Sequence, residues 1–173
     1  KPMGKIIKIL GSYKDNGIEI EIALRKYHLP HVFSKEVLKE IEIYEDNILV
    51  NNYKNYKDLT KLNFVTIDGE TAKDFDDAVF ATPNGNEIKL MVAIADVSSY
   101  VKNNSKLDKE AFDRGNSIYF PRRVIPMLPE KLSNGLCSLN PNVNRLTMIC
   151  DMVIDRDGFI KKYKFYPAII NSK

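Results

Sequence analysis

The strongest constraint on the fold is an Asn-Gly pair between two apolar runs. The segment Pro83-Asn84-Gly85-Asn86 separates residues 78–82 from residues 88–95. An Asn-Gly pair supplies the positive φ angles of a tight hairpin turn, so we expect two antiparallel strands joined at Asn84-Gly85. The second arm is apolar nearly throughout, which predicts a central strand buried on both faces.

A second hairpin is predicted further along the chain, from residues 145–154 and 159–167 across the turn sequence at 155–158. Between the hairpins the pattern predicts a short helix over 107–114, a short strand over 118–120, and a loop over 121–141 with one helical turn near Glu130. A strand over 62–67 precedes the first hairpin. Residues 59–173 are therefore predicted to form an α+β unit with mixed, largely antiparallel sheets and short helices.

Residues 1–58 are predicted to form a separate, largely helical connector. Residues 5–10 have the composition of a strand. The next segment is ambiguous, because Ile18, Ile20 and Ile22 alternate as in a strand while the apolar residues of 20–27 also keep helical spacing. We favour a helix that begins after Asp15 or Asn16 and ends near Leu29-Pro30.

Ser34 is predicted to cap a second connector helix. Glu36 is suited to its first turn, and one helix face carries an apolar stripe of Val37, Leu38, Ile41 and Tyr44. We interpret this stripe as core. The segment 47–58 is rich in Asn, Tyr and Lys without a clear period, and the boundary between the connector and the α+β unit is placed there.

The composition excludes several classes of protein. With 44% hydrophobic and 28% charged residues the chain is close to the globular average, and no run reaches the roughly 18 apolar residues of a membrane helix. No secretory signal is visible. Cys137 and Cys150 have apolar neighbours and are too few for a disulfide framework, so we expect reduced, buried thiols and a cytoplasmic location. The chain starts without Met, and we expect it to be part of a longer polypeptide.

Charge is distributed unevenly along the chain. Residues 61–100 carry 3 basic and 7 acidic side chains, whereas residues 101–173 carry 13 basic and 7 acidic ones. Four aspartates fall within ten residues: Asp68, Asp74, Asp76 and Asp77. Clustered carboxylates repel one another unless a cation neutralises them, so the acidic string predicts a metal site, with an acidic surface loop as the alternative.

Oxygen ligands favour Mg²⁺ or Mn²⁺, which keep water ligands and complete their coordination with substrate phosphate. A calcium loop of the Asp-x-Asp-x-Asp-Gly type is absent from the sequence. A phosphatase-type Asp-x-Asp pair could be read at Asp74 and Asp76, but such a pair ends a hydrophobic strand, and residues 71–73 do not form one. The residues alone therefore favour a metal-assisted phosphoester site.

Four motifs in order resemble the RNB catalytic domain of the RNase II and RNase R exoribonucleases. They are TIDGETAKDFDDAV (66–79), VAIADV (92–97), RGNSIYFP (114–121) and PMLPEKLSNGLCSLNP (126–141). The resemblance covers about residue 59 to the end, and Gly69, Phe75 and the SNGLCSLNP run look more like RNase R than RNase II. More weakly, IALRKYHLP (22–30) resembles the family's connector to its cold-shock-type RNA-binding domains.

The resemblance implies 3′-to-5′ hydrolysis of single-stranded RNA to nucleoside 5′-monophosphates. By position, Asp68 and Asp77 would bind Mg²⁺, or Mn²⁺, directly, and Asp74 directly or through water. Asp76 would help to hold a second ion or the attacking water. Tyr119 matches the aromatic residue that stacks on bases near the RNA 3′ end. A basic channel that tracks phosphates could include Arg122, Arg123 and Lys131, but from the residues alone solvated surface charge is the favoured interpretation for each.

A whole RNB domain is longer than this chain, and its later half supplies a basic residue at the scissile phosphate, a second stacking aromatic residue and much of the RNA channel. We therefore expect the 173-residue chain alone to be inactive and to expose surface that the later half covers. Two other functions remain open from the sequence: a non-catalytic RNA-binding or interaction module, and an unrelated Mg²⁺-dependent phosphoester hydrolase.

Overall fold

A computed structural model describes residues 3–173 and contains one main sheet, one small sheet and three α-helices. The helices are α1 (Ile18–Lys26), α2 (Lys35–Glu42) and α3 (Lys106–Arg114). The strands are β1 (Lys57–Asp58), β2 (Asp77–Asn84), β3 (Glu87–Ala95), β4 (Ile118–Phe120), β5 (Arg123–Ile125), β6 (Asn144–Ile154) and β7 (Ile160–Asn171). The predicted α+β class with mixed, largely antiparallel sheets is confirmed.

The main sheet has five strands in the order β1-β7-β6-β3-β2, and β4 and β5 form a separate two-stranded sheet. Both predicted hairpins are present, β2 with β3 and β6 with β7, and β3 pairs antiparallel with β6. The sequence pattern did not predict β1, a two-residue strand that runs parallel to β7. Two residues are too few to show a period, so this strand has no sequence signal.

The first hairpin turn lies one residue later than predicted. Asn84 pairs with Glu87, so the two turn residues are Gly85 and Asn86 rather than Asn84 and Gly85. Gly85 has φ 63, a conformation that glycine adopts at no steric cost. The glycine therefore occupies the first position of the turn, and β2 extends to Asn84 instead of ending at residue 82.

The core lies on one face of the main sheet. Met91 and Ala93 of β3 and Ile149 of β6 point to this face, where they pack with Phe64 and with buried leucines of the 128–139 segment. The opposite face, which we call the outer face, is apolar but about half exposed at Ile88, Ile94, Met148, Tyr163 and Phe165. β3 is central as predicted, but the predicted burial of both its faces is wrong.

The two connector helices are both present. Ser34 caps α2 as predicted, because its Oγ accepts a hydrogen bond from the Val37 amide at 3.3 Å. The predicted cap of α1 by Asp15 or Asn16 is wrong, since Gly17 with φ 86 occupies that position without a side-chain bond. The Asp15 carboxylate instead accepts from the Ser12 amide at 2.8 Å in the preceding turn.

Two predicted strands are not formed. Residues 5–10 form no regular secondary structure and have no strand partner among residues 3–173, and their isoleucines are exposed. A strand needs a neighbour to satisfy its backbone groups, and residue pattern alone does not supply one. Residues 62–67 contribute only a single bridge, Val65 to Val79, because Leu62 and Phe64 make local turn bonds instead. The described helices are all too short or too polar to cross a membrane.

Residues 121–141 contain more structure than the predicted loop. Besides β5, they form a π-helix at Lys131–Leu136, where one helical turn was expected near Glu130. π-Helical turns occur frequently at functional sites. Ser138 and Leu139, which follow this turn, contact the acidic string.

Both cysteines are free thiols, as predicted, with Cys137 buried and Cys150 only partly so. Burial raises the pKa of the Cys137 thiol to about 12. Because the thiolate is the reactive form, we expect Cys137 of the folded chain to resist a thiol-specific reagent at pH 8 while Cys150 reacts. Counting modified thiols with and without denaturant, using Cys137→Ala and Cys150→Ala to assign them, checks this. Rapid native labelling of Cys137 would contradict it.

Candidate active site

The acidic loop, residues 68–77, connects the Val65 bridge to the first residue of β2. A turn closes near its start, where the Ala72 amide donates to the Gly69 carbonyl at 2.9 Å. At its end Asp77 pairs with Ile94 in the sheet, and the Asp76 carbonyl accepts from the Ala95 amide at 2.9 Å. The loop is therefore anchored to the edge of the main sheet at Asp76 and Asp77, while the side chains of all four aspartates are exposed.

Ser138 holds the middle of the acidic loop through hydrogen bonds to the loop backbone. The Ser138 hydroxyl donates to the Lys73 carbonyl at 2.9 Å and accepts from the Phe75 amide at 3.1 Å. The Leu139 amide also donates to the Phe75 carbonyl at 2.8 Å. Sequence reasoning missed this serine, although it lies within one of the resembling motifs, because 63 residues separate it from Phe75.

The other three carboxylates of the acidic loop interact electrostatically with that of Asp76. The pKa of Asp76 is raised, first by desolvation and then by the negative charges of Asp74, Asp77 and Asp68. Like charges in proximity favour the protonated form in this way. The structure thus brings together the charges of all four predicted site residues.

Among residues 3–173, however, no three His, Cys, Asp or Glu side chains are arranged so that they could hold one metal ion. Mg²⁺ does not require such a cage, since proteins usually bind it through one or two carboxylates with water and substrate phosphate as the other ligands. The donor set, all carboxylate oxygen, and the concentration of negative charge at Asp76 fit a hard divalent cation.

Tyr119 of β4 lies beside the acidic loop. Its hydroxyl donates to Asp74 Oδ2 at 3.1 Å, while the side chain is 66% exposed. The bond to Asp74, followed by partial burial, raises the pKa of Tyr119. The exposed aromatic ring is therefore held next to a carboxylate from which it is separated by 45 residues in the sequence.

A groove of about 1180 Å³ runs past these residues. Asp74, Tyr119, Arg122 and Arg123 all line it, together with Lys131 of the π-helix. Asp68, Asp76 and Asp77 do not line it. The groove therefore joins the aromatic ring with two acidic side chains, Asp74 and Glu130, and four cations, Lys73, Arg122, Arg123 and Lys131.

The two predicted arginines differ in their contacts. Arg123 Nη1 contacts Glu21 Oε1 of α1 at 2.6 Å, and hydrogen bonds from Arg123 and then Arg25 hold the pKa of Glu21 below its ordinary value. Arg122 is exposed. The guanidinium of Arg123 thus connects the β4–β5 sheet to α1, and phosphate would compete with a carboxylate for it.

Asp96 is a further carboxylate, and its hydrogen bonds give it a structural role. Asp96, at the end of β3, is buried and accepts hydrogen bonds from the hydroxyls of Tyr56, Ser98 and Ser99. Burial acts to raise its pKa, but these bonds together hold it below the ordinary value. Asp96 is thereby satisfied within the fold, and it connects Tyr56 to the end of β3.

Comparison with known proteins agrees with this geometry. The family model described as "RNB domain" matches residues 56–173, and the one described as "Cold shock domain" matches residues 1–34. Ribonuclease R of Acidithiobacillus ferrooxidans is 52% identical over 172 residues, which are 99% of this chain and 39% of that protein.

Two solved structures of Mycoplasma genitalium RNase R each cover 95% of this chain at 39% identity. One is in complex with double-stranded RNA, with a TM-score of 0.87 and 29% of its own chain covered. The other is in complex with ribose methylated single-stranded RNA, with a TM-score of 0.86 and 26% covered. The chain thus spans well under half the length of these relatives. The resemblance to RNase R is confirmed, and the chain belongs to the RNB-domain family.

Proposed function

We propose that this chain is part of a hydrolytic exoribonuclease that shortens single-stranded RNA from its 3′ end and releases nucleoside 5′-monophosphates. The observation that carries the proposal is the meeting of an exposed aromatic ring with the acidic loop, at the Tyr119 to Asp74 hydrogen bond. A groove with cationic side chains leads to this point. The sequence similarity to RNase R, and the RNA bound in its solved relatives, support RNA as the substrate.

The acidic loop would hold Mg²⁺, or Mn²⁺, with Asp68 and Asp77 as direct ligands and Asp74 as a direct or water-mediated one. Asp76 would contribute to a second ion or orient the attacking water. When bound, the metal supplies a water of lowered pKa and screening of the phosphate charge. The pKa of Asp76 is raised by desolvation and then by the charges of Asp74, Asp77 and Asp68; a divalent cation would neutralise those charges, which supports this proposal.

The protein's own groups would position the RNA. An exposed tyrosine ring can stack on any base, which suits an enzyme without sequence preference. Arg122, Arg123 and Lys131 in the groove would attract the phosphate backbone. Since the Tyr119 hydroxyl is bonded to Asp74, a base stacked on the ring would lie at a fixed place relative to the acidic loop.

The proposal is tested with the full-length protein that contains this chain. Single-stranded RNA labelled at its 5′ end should shorten stepwise when Mg²⁺ is present, and RNA labelled at its 3′ end should release a labelled mononucleotide first. EDTA should abolish both results, and added Mg²⁺ should restore them.

Binding of the labelled RNA without any shortening would contradict a nuclease activity and favour the alternative of a non-catalytic RNA-binding module. Cleavage that persists in EDTA would contradict the requirement for a divalent cation. We expect the isolated 173-residue chain to leave the RNA intact, because it is a small part of the length of its relatives. Activity of that chain close to the full-length rate would show that this expectation is wrong.

Replacing Tyr119 should weaken binding of single-stranded RNA. Tyr119→Ala removes the stacking surface, and the loss of about 1–3 kcal/mol per base corresponds to roughly 5- to 150-fold in affinity. Because Tyr119→Phe retains the aromatic ring, its affinity for RNA should stay within about threefold of the original. Fluorescence anisotropy with labelled RNA measures both, and equal affinities for the two variants would contradict a stacking role.

A further inference from the structure

Ser138 contacts the two peptide groups that flank one acidic residue. Its hydroxyl donates to the carbonyl of Lys73, which belongs to the peptide bond before Asp74. The same hydroxyl accepts from the amide of Phe75, which belongs to the peptide bond after Asp74. The φ and ψ angles of Asp74 are the rotations between these two peptide groups, so one hydroxyl restricts both.

Serine suits this arrangement because a hydroxyl donates once and accepts as well. Ser138 is fully buried, so water does not take the place of either partner. An alanine at this position would leave a carbonyl and an amide without their bonds on the inner side of the loop, at a cost that favours rearrangement of the loop.

Ser138 is in turn held by the main sheet. Its carbonyl accepts from Arg145 Nε at 2.9 Å, and its amide donates to the Gly135 carbonyl at 3.1 Å. Arg145 belongs to β6, is almost fully buried, and donates also to the carbonyls of Gly135 and Asn144. A continuous path of hydrogen bonds therefore runs from a central strand through Ser138 to the backbone of Asp74.

Restraint of the Asp74 backbone counteracts repulsion among the carboxylates of the acidic loop. The exposed carboxylate of Asp74 lies in the same ten-residue loop as those of Asp68, Asp76 and Asp77, and like charges repel one another. A free loop would relax by moving the carboxylates apart, whereas a site needs its groups held within about 0.5 Å. The path from Arg145 opposes that relaxation at the one aspartate that also contacts Tyr119.

We propose that Ser138, anchored by Arg145, is a positioning residue that fixes Asp74 against the repulsion of the other carboxylates and so keeps the acidic loop ready to bind a divalent cation. This inference rests on the proposed function for its link to the metal. The restraint of the Asp74 backbone itself is independent of that function.

The test uses the full-length protein that contains this chain, and two measurements. Amide hydrogen exchange reports the Phe75 N–H, and electron paramagnetic resonance titration with Mn²⁺ reports binding of a divalent cation. In Ser138→Ala we expect Phe75 exchange to accelerate about tenfold or more, in line with the loss of one hydrogen bond, and Mn²⁺ affinity to fall about fivefold or more through misplacement of one ligand.

Ser172→Ala is the matched control. Ser172 is another buried serine, and the carbonyls of Leu139 and Asn140 share its single hydroxyl proton, without a bond from this hydroxyl to the acidic loop. The control should lose stability in urea while Phe75 exchange and Mn²⁺ affinity stay within about twofold of the original, because no bond to the loop is removed. If Ser138→Ala does not fold, Ser138→Cys retains the shape with a weaker donor and acceptor and is judged by the same criteria.

Unchanged Phe75 exchange in the folded Ser138 variant would overturn the proposal, and so would Mn²⁺ affinity equal to that of the original protein. A fall in Mn²⁺ affinity of the same size in Ser172→Ala would also overturn it, since the effect would then follow stability alone. Accelerated Phe75 exchange in a protein whose original form binds no Mn²⁺ would support the positioning of Asp74 and contradict the metal site of the proposed function.

Discussion

The Asp76→Asn variant of the full-length protein should shorten RNA at least 100-fold more slowly than the original. Asparagine has nearly the same shape but no charge, and loss of a single electrostatic contact at a reacting centre typically costs about 10²–10³ in rate. Asp76 is the aspartate on which the charges of the other three converge. Asp76→Asn removes one of the four negative charges that would attract a cation, and it also relieves repulsion among the carboxylates.

Single-turnover shortening of 5′-labelled RNA with enzyme in excess measures this rate. RNA affinity should not fall, because the variant carries less negative charge beside the phosphates. Asp113→Asn is the matched control, since Asp113 is exposed on α3 away from the acidic loop and should retain the full rate. An Asp76→Asn rate above one tenth of the original would contradict the assigned role.

Phe64→Ala should lower the free energy of unfolding of the 173-residue chain by about 3–5 kcal/mol, the usual cost of truncating a buried aromatic ring to alanine. Phe64 is fully buried in the core and lies against Phe80, with ring centroids 5.7 Å apart. Its carbonyl also accepts from the Lys173 amide at 2.9 Å. The residue thus packs between the start of the α+β unit and its last strand.

Equilibrium unfolding in urea, followed by far-UV circular dichroism and tyrosine fluorescence, measures this loss in a chain without tryptophan. Phe112→Ala on α3 is the control, because Phe112 is 83% exposed and its replacement should change stability by less than about 0.5 kcal/mol. Similar losses in the two variants would show that Phe64 is not part of the main core.

Elements with a local signal were predicted well from the sequence. The strands on both sides of the Gly85-Asn86 turn, the β6–β7 hairpin, α3 and the Ser34 cap all follow from period, turn residues and capping chemistry within a few residues. Where a prediction needed a distant partner it was wrong, as at residues 5–10, whose strand-like composition finds no neighbour among residues 3–173.

The same contrast between local sequence signals and long-range contacts applies to the candidate site. The four aspartates lie within ten residues of the sequence, so their proximity was predictable, and the charges of the other three contribute, after desolvation, to the raised pKa of Asp76. Contacts between remote segments carried no such signal. The bond of Tyr119 to Asp74, the bonds of Ser138 to Phe75 and Lys73, and the pairing of Arg123 with Glu21 join residues 45, 63, 65 and 102 positions apart, in that order. Only the folded chain brings these residues together.

The parallel pairing of β1 with β7 has a consequence for the order of folding. Lys57 pairs with Ala168, and the Leu59 amide donates to the Ile169 carbonyl. During synthesis from the N-terminus, these early residues have no partner until more than 100 later ones have been made, whereas Ser138 becomes available to the acidic loop sooner. Long-range closures of this kind form late because they restrict the most chain entropy. We therefore expect the carboxylates to be in place before the sheet is complete, with β1 the last strand to join.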